Sequence, residues 1–128
     1  MKKQLLQSLL TGLLGMVGSV YAEQYKSPQW NHCIRQFYDP KMYNWLAFEN
    51  TCGERLKILY IANNPGYGGS IMTLSPGRHD STGYSRSEMS DKRGFELFIC
   101  PADYNPVDAN NRFVTRVNSQ FRCKKTNY

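Results

Sequence analysis

Four cysteines in a short chain, Cys33, Cys52, Cys100 and Cys123, constrain the fold more than any other feature. All four lie beyond an N-terminal stretch with the parts of an export leader. Lys2 and Lys3 supply positive charge, residues 5–20 form an apolar run, and Val20-Tyr21-Ala22 ends on a small residue. Cleavage after Ala22 is expected, with 1–22 a signal peptide and 23–128 a single domain. The run is interrupted by Gln7, Ser8, Thr11, Gly12, Gly15 and Gly18. That suits a removable leader better than a retained span, which needs about 20 predominantly apolar residues. No other stretch is long and apolar enough to cross a bilayer, so no integral membrane segment is expected after cleavage.

An even number of cysteines in a short exported chain reads as two disulfides. Four cysteines admit three pairings. Pairing of chain neighbours, Cys33 with Cys52 and Cys100 with Cys123, is favoured, and each closed loop would contribute about 3 kcal/mol by restricting the unfolded chain. A domain of this size builds a modest core, so covalent support matters. A zinc site is disfavoured, because no cysteines stand at Cys-x-x-Cys spacing and His32 and His79 are far apart in the chain. No metal and no cofactor are expected.

The apolar pattern between the cysteines is that of strands. Residues 43–61 read as two strands joined by a cysteine-bearing turn. Leu46 and Phe48 fall on one face at the strand period of two, with Trp45 and Ala47 on the other. Asn50, Thr51, Cys52 and Gly53 are turn formers. Leu56, Ile58 and Tyr60 then share one face while Leu59 and Ile61 take the reverse, which predicts a central strand covered on both sides. Upstream, Pro28 and Pro40 disfavour a long helix and leave one or two helical turns within 31–37, with Trp30 and Phe37 packing over an open end of the sheet. A third strand is expected at 71–74, ending in the Ser75-Pro76-Gly77 turn. Another is expected at 94–100, where Phe95, Leu97 and Ile99 oppose Phe98. A last strand is placed within 112–121 on Phe113, Val114, Val117 and Phe121. The fold class is therefore all-β: a single-domain antiparallel β-sandwich stapled by two disulfides.

The run Phe48-x-Asn50-x-Cys52, followed by Leu56-x-Ile58-x-Tyr60 and then Leu74-x-Pro76-Gly77, resembles the opening hairpin and following turn of thaumatin-like and other small exported β-sandwich domains. The resemblance implies a β-sandwich and carries no functional residue with it, because function does not follow from fold.

Motifs that would carry catalysis are weak. Cys33 beside His32 has the types of a nucleophile and base, but neighbours in an extended chain point apart and export would oxidise the thiol. His79-Asp80-Ser81 holds the residue types of a hydrolytic triad, yet a triad converges from separated positions. Asp103, Asn105, Asp108 and Asn110 offer oxygens without the spacing of a calcium loop and read as turn formers. Gly66-Tyr67-Gly68-Gly69 lacks the lysine and hydroxyl residue of a phosphate loop. The expectation is a protein without a catalytic site.

Binding is better supported. The chain holds nine tyrosines, six phenylalanines and two tryptophans, and Tyr38, Tyr43, Tyr67, Tyr84 and Tyr104 fall in or beside expected loops. Tyrosine supplies large contact area at low entropic cost. Residues 63–70 form a glycine-rich loop with Tyr67 at its tip, and 78–93 form a long polar loop with at most an edge strand near Tyr84; long loops are where binding concentrates. The expected binding residues are Tyr67, Arg78, Tyr84, Arg86 and Arg93. The net charge of +6, two units of it in the leader, favours acidic partners, and export argues against nucleic acid. These features point to a bacterial periplasmic or secreted protein-binding module whose partner is another exported or envelope protein, as for an inhibitor, an immunity factor or an envelope accessory protein. Two alternatives stand beside it: a carbohydrate- or peptidoglycan-binding module with Trp30 or Trp45 as stacking platforms, and a small hydrolase using His79.

Overall fold

The computed structural model describes residues 28–125; the expected leader at 1–22 lies outside the described residues. A 3-10 helix, Pro28–Cys33, leads into strands β1 (Ile34–Asp39), β2 (Trp45–Asn50), β3 (Leu56–Ala62), β4 (Gly69–Leu74) and β5 (His79–Ser81). Helix α1 (Arg86–Lys92) comes next, then β6 (Phe95–Pro101), β7 (Tyr104–Val107) and β8 (Arg122–Lys125). The strands form two three-stranded sheets, in the orders β1-β2-β5 and β4-β3-β6, and a two-stranded ribbon β7-β8. All pairings are antiparallel. The chain is thus an all-β, antiparallel sandwich, as its alternation predicts.

Strand β3 is the axis of this arrangement because it has apolar residues on both faces. Leu56, Ile58 and Tyr60 enter one core with Leu46 and Phe48 of β2, Met72 and Leu74 of β4, and Ile99 of β6. That core fills the space between the two three-stranded sheets. Leu59 and Ile61 point the other way and join Phe98, Val114, Phe121, Cys100 and Cys123 in a second core. Full burial of a side chain such as Ile58 is worth about 1.5–3 kcal/mol, so β3 contributes to both layers at once. Each disulfide staples one core. Cys33 pairs with Cys52 at a Cα separation of 5.1 Å, and Cys100 with Cys123 at 5.6 Å, which is the neighbour pairing.

The expected hairpin over 43–61 is corrected. Strands β2 and β3 belong to different sheets, and the chain crosses between them at 51–55. The reason lies in their shared apolar content. A hairpin closed by 51–55 would set Phe48 and Tyr60 on one face of a single sheet, whereas facing sheets let the rings meet edge-on across the core, 5.1 Å apart. Asn50 fixes the crossing. Fully buried, it donates through Nδ2 to the carbonyls of Glu54 (2.7 Å) and Leu74 (3.0 Å) and accepts from the Cys52 amide (3.0 Å).

The hairpin in this region is β1–β2, with Phe37 opposite Ala47 and a turn carrying Tyr43 and Asn44 at φ 53° and 57°. Residues 34–37, expected within a helical turn, are strand, and the helical turn comes earlier, opening on Pro28. A proline suits the first helical position, where its missing N–H costs nothing.

Two further expectations are revised. The polar stretch 78–93 contains β5 and α1 rather than a continuous loop, and the strand lies at 79–81, ahead of Tyr84. Residues 112–121 pair only through a single bridge from Phe113 to Val107, while the final strand is 122–125. Val114 and Phe121 are buried as separate plugs of the second core, which explains why their spacing keeps no period of two. In the turn before them, Asp108 accepts through Oδ1 from the amides of Asn110 (2.8 Å) and Arg112 (3.1 Å), a turn-forming role. Among the described residues, no helix is long and apolar enough to cross a membrane.

Candidate functional site

Helix α1 and strand β1 enclose an open groove of about 530 Å3. The helix begins where Ser85 and Glu88 make a capping box: Ser85 Oγ accepts from the Glu88 amide (3.3 Å) and Glu88 Oε1 accepts from the Ser85 amide (2.8 Å). The hydrogen bond from the Ser85 amide holds the Glu88 carboxyl below its ordinary pKa, since it favours the charged form. Starting at Arg86, the helix places Arg86 and Met89 one turn apart on the same side. Met89 is buried in the first core and anchors the helix. Arg86 is thereby held at the rim, with its guanidinium 4.0 Å from the ring centre of Tyr38. Gln36, Phe37 and Tyr38 of β1 line one wall, Arg86, Met89 and Ser90 the other, and Leu46 lies between. Among the described residues, strand β1 is the outer strand of its sheet and pairs only with β2.

Of the expected binding residues, the structure brings Tyr67 and Tyr84 together, but around a cation of the chain itself. Lys92 Nζ lies 3.9 Å from the Tyr67 ring centre and 4.3 Å from that of Tyr84. The same helix end is tied to the 63–68 loop by Asn63 Nδ2 donating to the Arg93 carbonyl (2.9 Å) and Asn64 Nδ2 to that of Asp91 (2.8 Å). These contacts satisfy carbonyls that a helix terminus leaves without intrahelical partners. Arg93 serves as the helix C-cap in the left-handed conformation, φ 61°. Arg78 sits at the far end of the sheet, its carbonyl accepting from Asn50, whereas the carbonyl of Tyr84 accepts from Leu46. Those anchor points are four residue steps apart along β2, about 13 Å. Only Arg86 among the five expected residues lines the groove. Tyr38, one of the tyrosines expected in or beside loops but not among the five expected binding residues, stands at the groove rim, and Lys92 between the two tyrosines was not expected; the signal that could have found Lys92 is Ser85-x-x-Glu88, a helix start that sets which way residues 86–92 point.

The outer face of the β1-β2-β5 sheet carries a second cluster. Arg35 lies 4.2 Å over the Phe37 ring and pairs with Glu49 at 2.6 Å. His79 packs edge-on to Phe37 and approaches Asp39, Nε2 to Oδ2 at 3.4 Å. Tyr43, 76% exposed, leans on Trp45 with ring centres 4.8 Å apart. Trp30, the other candidate platform, packs against the first core. His79 thus has a carboxylate partner, and it is Asp39 rather than adjacent Asp80. His79 and Ser81 stand on one face of β5 and Asp80 on the other, as alternation requires. Among the described residues, His79 makes no hydrogen bond to a serine or threonine hydroxyl.

One group of potential metal ligands converges among the described residues: His32, Cys33 and Cys52, with their donor atoms within 4.8 Å of one another. The disulfide ties both sulfurs to each other, so they do not act as thiolate ligands while it stands.

Fold and site together define a disulfide-stapled antiparallel sandwich with an open groove beside an edge strand. No protein-family model, curated protein or solved structure matches the chain.

Proposed function

We propose that this chain is a non-enzymatic protein-binding module, exported to the periplasm or secreted by a bacterium, and acting as an inhibitor, immunity factor or envelope accessory protein. The groove between α1 and β1 carries the reading. It combines an apolar floor, the ring of Tyr38 and a guanidinium at its rim, beside a strand edge that offers backbone groups to an extended segment. Arginine and tyrosine are the side chains that most often anchor protein interfaces. The excess of basic residues favours an acidic partner, and the two disulfides suit an oxidising compartment. The test is capture of an exported partner by the wild-type protein and by two variants. Capture is expected to fail with Tyr38→Ala/Arg86→Ala combined and to persist with Arg78→Ala; equal capture by all three contradicts the assignment.

The pairing of exposed Tyr43 with half-buried Trp45 favours a second reading, a saccharide platform on the outer sheet face, because adjacent aromatic rings flanked by charged groups suit a sugar ring. It predicts that soluble peptidoglycan fragments change Trp45 fluorescence in the wild type and not in Tyr43→Ala. A flat wild-type titration removes it.

A further inference from the structure

The two disulfides differ in their surroundings. Cys100 and Cys123 are both buried in the second core, and the polar neighbour of Cys123 Sγ is the carbonyl oxygen of Ile99 at 3.6 Å. A carbonyl presents the negative end of its dipole and opposes a developing thiolate. Cys33 is also fully buried, but its partner Cys52 is partly exposed. Beside this pair stands an exposed imidazole, with His32 Nε2 3.6 Å from Cys33 Sγ and 3.8 Å from Cys52 Sγ.

We propose that Cys33–Cys52 is a thiol-exchange site for low-molecular-weight thiols, with Cys52 as the sulfur attacked and His32 assisting the departure of Cys33. The incoming thiolate forms a new S–S bond to Cys52 Sγ as the Cys33–Cys52 bond breaks. The electron pair of the broken bond leaves on Cys33 Sγ, and a proton from His32 Nε2 or solvent completes the thiol. One disulfide is exchanged for another, so no outside oxidant is needed. Exchange proceeds faster when the leaving sulfur is stabilised as thiolate, which is the effect a donor at Nε2 supplies. Burial decides the direction of attack, because only Cys52 can be approached from solvent.

The local backbone does not depend on the S–S bond alone. The carbonyl of Cys33 accepts from the amide (2.7 Å) and hydroxyl (3.0 Å) of Thr51, and Asn50 holds the adjoining turn. The opened form therefore keeps its strands in register, and the exchange is reversible. The exchange site shares no residue with the binding groove.

The experiment treats the oxidised protein with a glutathione series, quenches with acid, alkylates free thiols and maps the peptides by mass. The expected result is a glutathione adduct on Cys52 with Cys33 alkylated, at concentrations that leave Cys100–Cys123 intact. His32→Ala is expected to slow opening about fivefold, the worth of one hydrogen bond, with Cys100–Cys123 serving as internal control. An adduct mainly on Cys33, opening of both disulfides at the same concentration, or an unchanged rate in His32→Ala each overturns the proposal.

Discussion

Ser85 and Glu88 are exposed or half-exposed polar residues, yet they determine where α1 begins and so where Arg86 points. Ser85→Ala removes the acceptor for the Glu88 amide and is expected to cost about 1 kcal/mol in chemical denaturation. Glu88 adds a pH dependence with a definite sign. Its folded pKa lies below the ordinary value, so its contribution is complete above the ordinary carboxylate range and fades as pH falls through the lowered folded value. Glu88→Gln is therefore expected to show a flatter acid limb of stability than the wild type, read from unfolding midpoints across that range. Identical acid limbs would mean that the capping carboxylate carries no such linkage.

At the scale of elements, what could be read from the sequence depended on how much apolar signal each segment carries. Strand β3 was legible because five of its positions alternate between two cores, and β6 because Phe95, Leu97 and Ile99 oppose Phe98. The neighbour pairing of cysteines was legible as a preference, and the sheets bring those pairs together. Strand β1 was not, since an edge strand with exposed Arg35 and Gln36 has little alternation to show. Helix α1 was hidden for a similar reason: Met89 is its one buried residue, set in a polar run. The site suffered most, because the groove exists only once these two weakly marked elements lie side by side. The crossing between β2 and β3 was also missed, as two consecutive strands joined by turn formers look the same whether they pair or separate. Asn50 decides the matter in the fold. Asn50→Ala leaves the carbonyls of Glu54 and Leu74 without its amide, and the expected loss is about 1–3 kcal/mol by urea denaturation. A neutral result would place the control of the crossing elsewhere.

For the whole molecule, the division of labour is between two covered cores and one open flank. The sheet β4-β3-β6 is packed on both faces, the sheet β1-β2-β5 on one, and the exposed side of the latter and its outer strand carry the aromatic and charged groups that can meet a partner. Tyr67 and Tyr84, two of the expected binding residues, clasp Lys92 and fasten a loop to the helix end. The groove between α1 and β1 is the proposed seat of a partner protein. Placing a photo-crosslinking side chain at Gln36 in the groove, and in separate variants at Thr73 on β4 and at Arg78, tests it most directly. In the producing cell, a protein crosslink is expected from position 36 that disappears with Arg86→Ala and is absent from 73 and 78. A crosslink from 73 or 78 without one from 36 would contradict it.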